Sequence, residues 1–397
     1  MKKLKVLHVI PSVSPKRGGP SAALPVLVRI LVEAGMDVTV ATTDDDGSGA
    51  RRQVPLQQAI VEKDGGTYFY FPRQFTFYTA SWPLRRWVLS HVREFDIVHV
   101  HALFSFPSVI AARAARRASV PYVIRPLGVL NRWGLANRRR TLKSGSLRLI
   151  ELPLIRHAAA MHYTSAREKQ EAEAVNPAVA LTRAAIISLA VDCDGDADEG
   201  ARFYTRFPEA AGRQVLLFLS RIDPKKGIEL LLEAFASLRG EFPDALLVIA
   251  GDGEVPYVRQ LHAAAERLSI DQHVLWPGFL SGADKRAAFR AATMFVLPSH
   301  SENFGIAAAE ALAAGVPVLL SDQVAVADDV REAGAGVVVP CDSKAIATGI
   351  RRLLTDSVTR ASFSAKGQDL ARARYSTQSV QAALVNLYAS LTRRPHA

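Results

Sequence analysis

Short apolar runs alternate with longer stretches in which apolar residues recur at helical spacing, and the alternation runs through the chain twice. Leu4–Ile10 is a β-branched apolar run that ends at Pro11-Ser12. After the loop PSVSPKRGGPS, apolar residues at Ala22, Leu24, Val26, Leu27, Ile30, Leu31 and Ala34 follow the 3.6-residue repeat of a helix. Gly35 stops that helix, and Asp37–Thr42 reads as the next strand. Repeated strand–loop–helix–strand units build parallel sheets with helices on both faces. Further strands are expected at Phe95–Val100, Val120–Ile124, Ala158–Tyr163 and Ile186–Leu189. In the second half they are expected at Val215–Leu219, Ala245–Ala250, His273–Trp276, Met294–Leu297, Val316–Leu320 and Gly336–Val339. The pattern predicts an α/β fold with two Rossmann-like parallel-sheet domains facing a cleft. Residues 1–191 form the first and 192–374 the second, with a last helix over 375–397 packing back on the first. Residues 192–213, acidic and then mixed, carry little apolar periodicity and are the expected link. The aromatic stretch Thr67–Tyr78 (TYFYFPRQFTFY) is expected to be a strand and loop packing on the core, the alternative being that its tail lines an acceptor cleft.

Charge changes this picture more than composition does. The chain has 397 residues, 49% apolar and 22% charged, as in ordinary globular proteins. Its net charge is +11, but residues 1–190 hold 27 Lys and Arg against 13 Asp and Glu, whereas the remainder holds 22 against 25. A one-sided basic half implies an anionic partner there: a membrane surface or a phosphorylated substrate. Between Arg113 and Arg156 eleven Arg and Lys accompany a single acid, Glu151, with Trp133, Leu135, Leu142, Leu147 and Leu149 among them. A basic helix with Trp and Leu on its other face is the composition expected of a segment lying on an anionic leaflet, and the alternative is that these arginines read the phosphates of an acceptor. Nothing resembles a base-reading module, so no nucleic-acid partner is expected. The N-terminus reads as a first strand and not a signal peptide, and no apolar run reaches the ~18 residues a membrane span needs. Two cysteines, Cys193 and Cys341, stand in no metal-like spacing, and no metal site is expected.

Candidate chemistry concentrates in LPSHSENFGIAAAEALAAGVPVLLSD, residues 297–322. Glu302 lies in a polar loop, Glu310 within the alanine-rich helix, and Asn303, Phe304, Gly305 and Ile306 follow Glu302 at the helix start. The N–H groups at such a start are unpaired and favour an anion. A carboxylate such as Glu310 is a good acceptor for vicinal hydroxyls. As single residues, Glu302 as a local cap and Glu310 as a solvated helix residue are the plainer accounts. Arg221 and Lys226, after the strand Val215–Leu219 and before a helix, can neutralise a diphosphate. Gly18 and Gly19 precede the first helix, where small residues let a ligand approach backbone amides. His101 ends the strand FDIVHV, and ligands in open α/β sheets bind outside the carboxyl ends of strands. Arg125 ends VPYVI in the same way.

SENFGIAAAEALAAGVPVLLSD resembles the signature of family 4 of the retaining glycosyltransferases, which have the GT-B fold. The first Glu, Phe-Gly and second Glu fall at the family's E-x7-E spacing. FLSRIDPKKGIELLLEAF is similar to its phosphate-binding segment, VIAGDGE to its next strand, and HVIPSVSPKRGGPSAAL to its N-terminal glycine loop. The resemblance implies that Glu310 binds the ribose hydroxyls and Glu302 the donor sugar. It implies that Arg221 and Lys226 hold the diphosphate, with Gly18, Gly19 and the amides of Phe304–Ile306 assisting. The reaction implied is metal-independent transfer of a hexose from UDP- or GDP-hexose to an acceptor hydroxyl with retained configuration. Catalysis would rest on Glu302, Arg221, Lys226 and His101. Leu127 stands where many relatives carry a histidine, so His101 or Arg125 is the candidate for that role. The family's Asn-Gly-Val-Asp motif reads Leu189-Ala190-Val191-Asp192. The acceptor expected is a glycan or polyprenyl-diphosphate-linked glycan, handled by a cytoplasmic protein on the inner face of the plasma membrane. A nucleotide-sugar epimerase of the same fold, or a non-catalytic nucleotide-sugar or anionic-lipid binding protein, are the alternatives.

Overall fold

The computed structural model describes residues 3–14, 16, 19–47, 49–130, 140–192 and 199–392. The chain forms two units, Met1–Ala190 together with Thr377–Ala397, and Val191–Ser376. The first carries an eight-stranded sheet in the order β3-β4-β2-β1-β5-β6-β7-β8. Its strands are β1 (Lys5–Val9), β2 (Asp37–Thr43), β3 (Ala59–Val61), β4 (Thr67–Phe71), β5 (Ile97–His101), β6 (Tyr122–Arg125), β7 (Ala160–Tyr163) and β8 (Ala184–Ile186). All neighbours run parallel except β3 and β4. The second unit carries six parallel strands in the order β11-β10-β9-β12-β13-β14. They are β9 (Gln214–Leu219), β10 (Ala245–Ala250), β11 (Val274–Gly278), β12 (Met294–Leu297), β13 (Val318–Ser321) and β14 (Gly336–Val339).

The central strands are buried on both faces, so they read as continuous apolar runs instead of alternating ones. In the first unit the two-residue period sorts them onto two cores. Leu7, Val9, Val98, Val100, Tyr122 and Ile124 face one way, against the helices Trp82–His91 and Phe106–Arg117. Val6, Ile97, Val123 and Ala160 face the other, against the helices Gly19–Glu33 and Thr377–Thr392. The second of these helices presents Val380, Leu384, Leu387 and Tyr388 to that core, the i, i+4, i+7, i+8 stripe of a helix buried on one side.

Three local expectations are corrected. The expected link contains a helix, Glu199–Arg206, anchored by buried Phe203. Phe75 and Phe77 do not pack on the core; they are 59% and 54% exposed. The Arg113–Arg156 stretch is not one amphipathic helix. Where it is described it is a helix to Arg117, strand β6, a helix Arg140–Ser146, a π-helical turn Leu147–Glu151 and a helix Leu152–Arg156. Leu147, Leu152, Leu154 and Ile155 belong to the core. Leu149, by contrast, is 76% exposed beside exposed Arg148. Trp133, Leu135 and the arginines between 131 and 139 lie outside the described residues.

Candidate functional site

In the second unit the strand order reverses between β9 and β12, and the loops after these two strands flank that switch point. Ligands of open α/β sheets bind there. The loop after β9 is shaped by Asp223, whose side chain accepts from the Lys225 N–H at 3.0 Å. Gly227 follows at φ +65°, and a Cβ there would stand 2.3 Å from the Pro298 carbonyl oxygen. Only glycine lets this loop pass so close to the one after β12. The His300 N–H donates to the Lys225 carbonyl at 2.7 Å and fastens the two loops together.

That crossing brings Lys226 to Glu302, whose carboxylate Oε2 accepts from the Lys226 ammonium. The Glu302 backbone is fixed on both sides, its N–H donating to Gln323 at 3.1 Å and its carbonyl accepting from Ala325 at 3.1 Å. Gly305 takes φ +94° and caps the helix Ile306–Ala313, with no side chain capping that start. Phe304 is buried edge-on to Tyr375, ring centroids 5.6 Å apart, and Asn303 is half-buried. Glu310, one turn into the helix, receives Lys285 Nζ at 2.6 Å from the helix Gly282–Ala291. Arg221 is exposed. Burial lowers the Lys225 ammonium below the usual lysine range, Asp223 opposes the shift, and Arg221 and Lys226 add to it. The loops thus gather Arg221, Lys226, Glu302, Gly305, Ile306 and Glu310 within one unit. Sequence reasoning missed Lys285. Nothing in the spacing couples residue 285 to 310; adjacent Asp284 even turns the opposite way, to Arg202 and Arg206.

The first unit reverses its strand order at β1 and β5. Gly19 opens the helix after β1, and Gly18 lies outside the described residues. Lys16 is held by Asp46 at 2.6 Å. His101 does not stand at an open strand end. It is 1% exposed, and its Nε2 meets His8 Nδ1 at 2.8 Å. Residues of one parity on β1, β5, β6 and β7 place His8, His99, His101, Arg125 and His162 on the face covered by the C-terminal helix. Their hydrogen bonds fix the tautomers of His162 and His99. His162 Nε2 lies 2.8 Å from the Ile187 carbonyl, which can only accept, so His162 Nε2 carries the proton and neutral Nδ1 accepts from His99 Nε2 at 3.3 Å. His99 Nδ1 then accepts the Tyr388 hydroxyl proton at 2.6 Å. Burial drives all four histidines below their usual range, His8 and His162 to about 3, and Arg125 pushes them further down. His99 also feels the other histidines more strongly than it feels Arg125.

Two family models together match most of the chain: glycosyl transferase 4-like domain over residues 18–190 and glycosyl transferases group 1 over 204–370. The chain belongs to the group 1 glycosyltransferases. This group 1 chain is 34% identical over 188 residues to the phosphatidyl-myo-inositol mannosyltransferase of Mycobacterium leprae, covering 46% of itself and 49% of that protein. It is 38% identical over 108 residues to the alpha-monoglucosyldiacylglycerol synthase of Streptococcus pneumoniae, covering 27% and 24%. It spans about half the length of the curated mannosyltransferases it matches. Among solved structures, Anabaena HepE in complex with UDP superposes with a TM-score of 0.80 at 19% identity, covering 98% of this chain and all of that one. The fold is therefore GT-B, two parallel-sheet α/β domains.

Proposed function

We propose that this group 1 chain is a retaining hexosyltransferase. It moves a sugar from a nucleoside-diphosphate hexose to a hydroxyl of a lipid-linked glycan in bacterial-type polysaccharide synthesis. The observation that carries the reading is the pairing of Lys226 with Glu302 and of Lys285 with Glu310 around the uncapped helix start at Gly305. Glu310 accepts the ribose hydroxyls, and Glu302 holds the donor sugar. Lys226 and Arg221 meet the charge that builds on the departing diphosphate, helped by the amides at the helix start. Fixed donors aimed at developing charge are the strongest catalytic device such a site has. In this reading the two cations supply what a metal ion would otherwise supply. The departing phosphate takes the acceptor's proton, so no side chain need act as nucleophile. The HepE complex with UDP supports a nucleotide donor, and the mannosyltransferase and glucosyldiacylglycerol synthase relatives support a lipid-bearing acceptor.

The acceptor belongs to the basic first unit. Exposed Trp82 shares its helix with exposed Arg85 and Arg86, exposed Leu149 follows exposed Arg148, and exposed Phe75 and Phe77 lie in the aromatic loop just before Trp82. Tyr78 ties the aromatic loop to the turn bearing Arg148, its hydroxyl 2.5 Å from Ser146 Oγ and 3.2 Å from Glu151. Exposed apolar side chains accompanied by arginine suit an anionic bilayer surface, here the inner face of the plasma membrane approached from the cytoplasm. The deciding experiment is a panel of UDP-, GDP- and ADP-sugars, read by binding and by slow hydrolysis of the donor. One nucleotide class should bind and turn over, with activity unchanged by EDTA. A panel with neither binding nor hydrolysis would overturn the transferase reading.

A further inference from the structure

Arg125 is the largest fully buried side chain among the described residues, and its Nε, Nη1 and Nη2 all lack a hydrogen-bond partner. A guanidinium carries five N–H donors and stays charged in proteins. Burial lowers Arg125 to about 10, which still leaves it a cation at neutral pH. Its surroundings do not answer it. Glu168, on the helix Ala166–Val175, supplies the nearby negative charge, but its oxygens are spent elsewhere. Oε1 accepts from the Gly128 N–H at 2.7 Å, and Oε2 accepts from the Thr164 N–H and hydroxyl at 2.6 and 2.7 Å. His162 and His99 spend their accepting nitrogens on each other and on Tyr388. His8 Nε2 also has no partner. Unmade donors on a desolvated cation are among the costliest features a folded interior can carry.

We propose that Arg125 anchors a small-anion site inside the first unit, at the carboxyl ends of β5, β6 and β7, for a phosphate- or halide-sized ligand. Such an anion takes the guanidinium's hydrogen bonds while Glu168 keeps holding the two loops. A metal ion fits less well. His8, His99 and His101 bring ligand nitrogens within 4.8 Å of one another, but both nitrogens of His99 are already engaged. A dication would also meet the Arg125 charge unscreened. The site stands apart from the donor reading, because every group in it lies in the first unit.

The test is thermal unfolding of the full chain at about pH 7.5 and constant ionic strength, with potassium gluconate replaced stepwise by chloride, bromide or phosphate. A saturable rise in Tm of roughly 5–10 °C is expected at about 100 times the dissociation constant. Saturation at lower phosphate than halide concentration identifies an oxyanion site, and the reverse identifies a halide site. The rise should survive in Lys226→Met, whose cation belongs to the other unit, and vanish in Arg125→Met. The proposal is overturned if all salts give one melting curve, if Arg125→Met keeps the full rise, or if zinc stabilises and anions do not. Should Arg125→Met fail to fold, crystals of the unchanged chain soaked separately in bromide and in selenate decide. An anomalous peak within hydrogen-bond distance of the guanidinium supports the site, and peaks confined to the surface reject it.

Discussion

Glu310 and Glu302 sit on the same short segment, yet each owes its position to a lysine from elsewhere, Lys285 and Lys226. Replacing Glu310 by Gln keeps the shape and removes the charge. Hydrogen bonds to a charged group contribute about 1.5–3 kcal/mol, so E310Q should weaken nucleotide binding tenfold or more by calorimetry. Unchanged affinity would remove Glu310 from the ribose site. Gly305→Ala places a Cβ 2.8 Å from Val324 Cγ1 at φ +94°. It should cost about 1–3 kcal/mol of stability and lower donor affinity beyond that, since the helix start would have to shift. Glu151 gives a residue-scale pH effect. Burial raises its carboxyl to about 7, against the pull of the Phe104 N–H and the Tyr78 hydroxyl. A folded pKa above the unfolded value of 4.5 means the contribution is present at low pH and lost as pH rises through 7. E151Q should therefore raise stability at about pH 8, by up to roughly 3 kcal/mol, and by less than about 1 kcal/mol at about pH 5; equal effects at both would show that Glu151 is not buried as a neutral acid. At this scale the sequence exposed the carboxylates and cations through their spacing around a glycine. It could not expose Lys285, and it made His101 look like a site residue, because the partner that draws it inward, His8, lies on another strand.

At the scale of elements, the helix Thr377–Thr392 is held to the first sheet by an apolar stripe and by the polar contact of Tyr388 to His99 at 2.6 Å. Tyr388→Phe leaves His99 Nδ1 a buried acceptor with no donor. The expected loss is about 1–3 kcal/mol, seen as a lower urea midpoint with an unchanged slope; an unaltered midpoint would rule out the Tyr388–His99–His162 chain. Most strands were legible because strands buried on both faces read as apolar runs. β3 was not, being a three-residue antiparallel edge whose Val61 is 73% exposed. The basic segment misled for a related reason: leucines spaced among arginines suit a surface helix and also suit short helices that bury one side in a core. Leu152, Leu154 and Ile155 do the second.

For the molecule as a whole, four buried neutral histidines set the response to acid. Their folded pKa values lie below the unfolded 6.5, so stability is full above about pH 6.5 and is lost as pH falls toward 3. Each histidine costs about 1.4 kcal/mol per pH unit in that window, and four act together. Melting should drop steeply between about pH 6.5 and 5; a flat profile would mean the cluster takes up protons while folded. Membrane attachment belongs to this scale too. Flotation with anionic liposomes should recover the protein, and changing Phe75, Phe77 and Trp82 to Ser should abolish recovery; equal recovery with neutral lipid would sink the idea. The alternation of strands and helices made both sheets readable from sequence, but which strands sit side by side at each switch point was not, because pairing depends on crossovers that no local pattern records.

The helix Thr377–Thr392 also has a consequence for synthesis. It completes the sheet that begins at Lys5, but it follows the whole of Val191–Ser376 in the chain. On the ribosome, the first unit must wait with His99 and the face around it uncovered while an entire second unit is made. That second unit is contiguous and can close as soon as it emerges. The domain translated first is thus the one finished last, and the interval between is when a nascent chain of this protein most needs a chaperone.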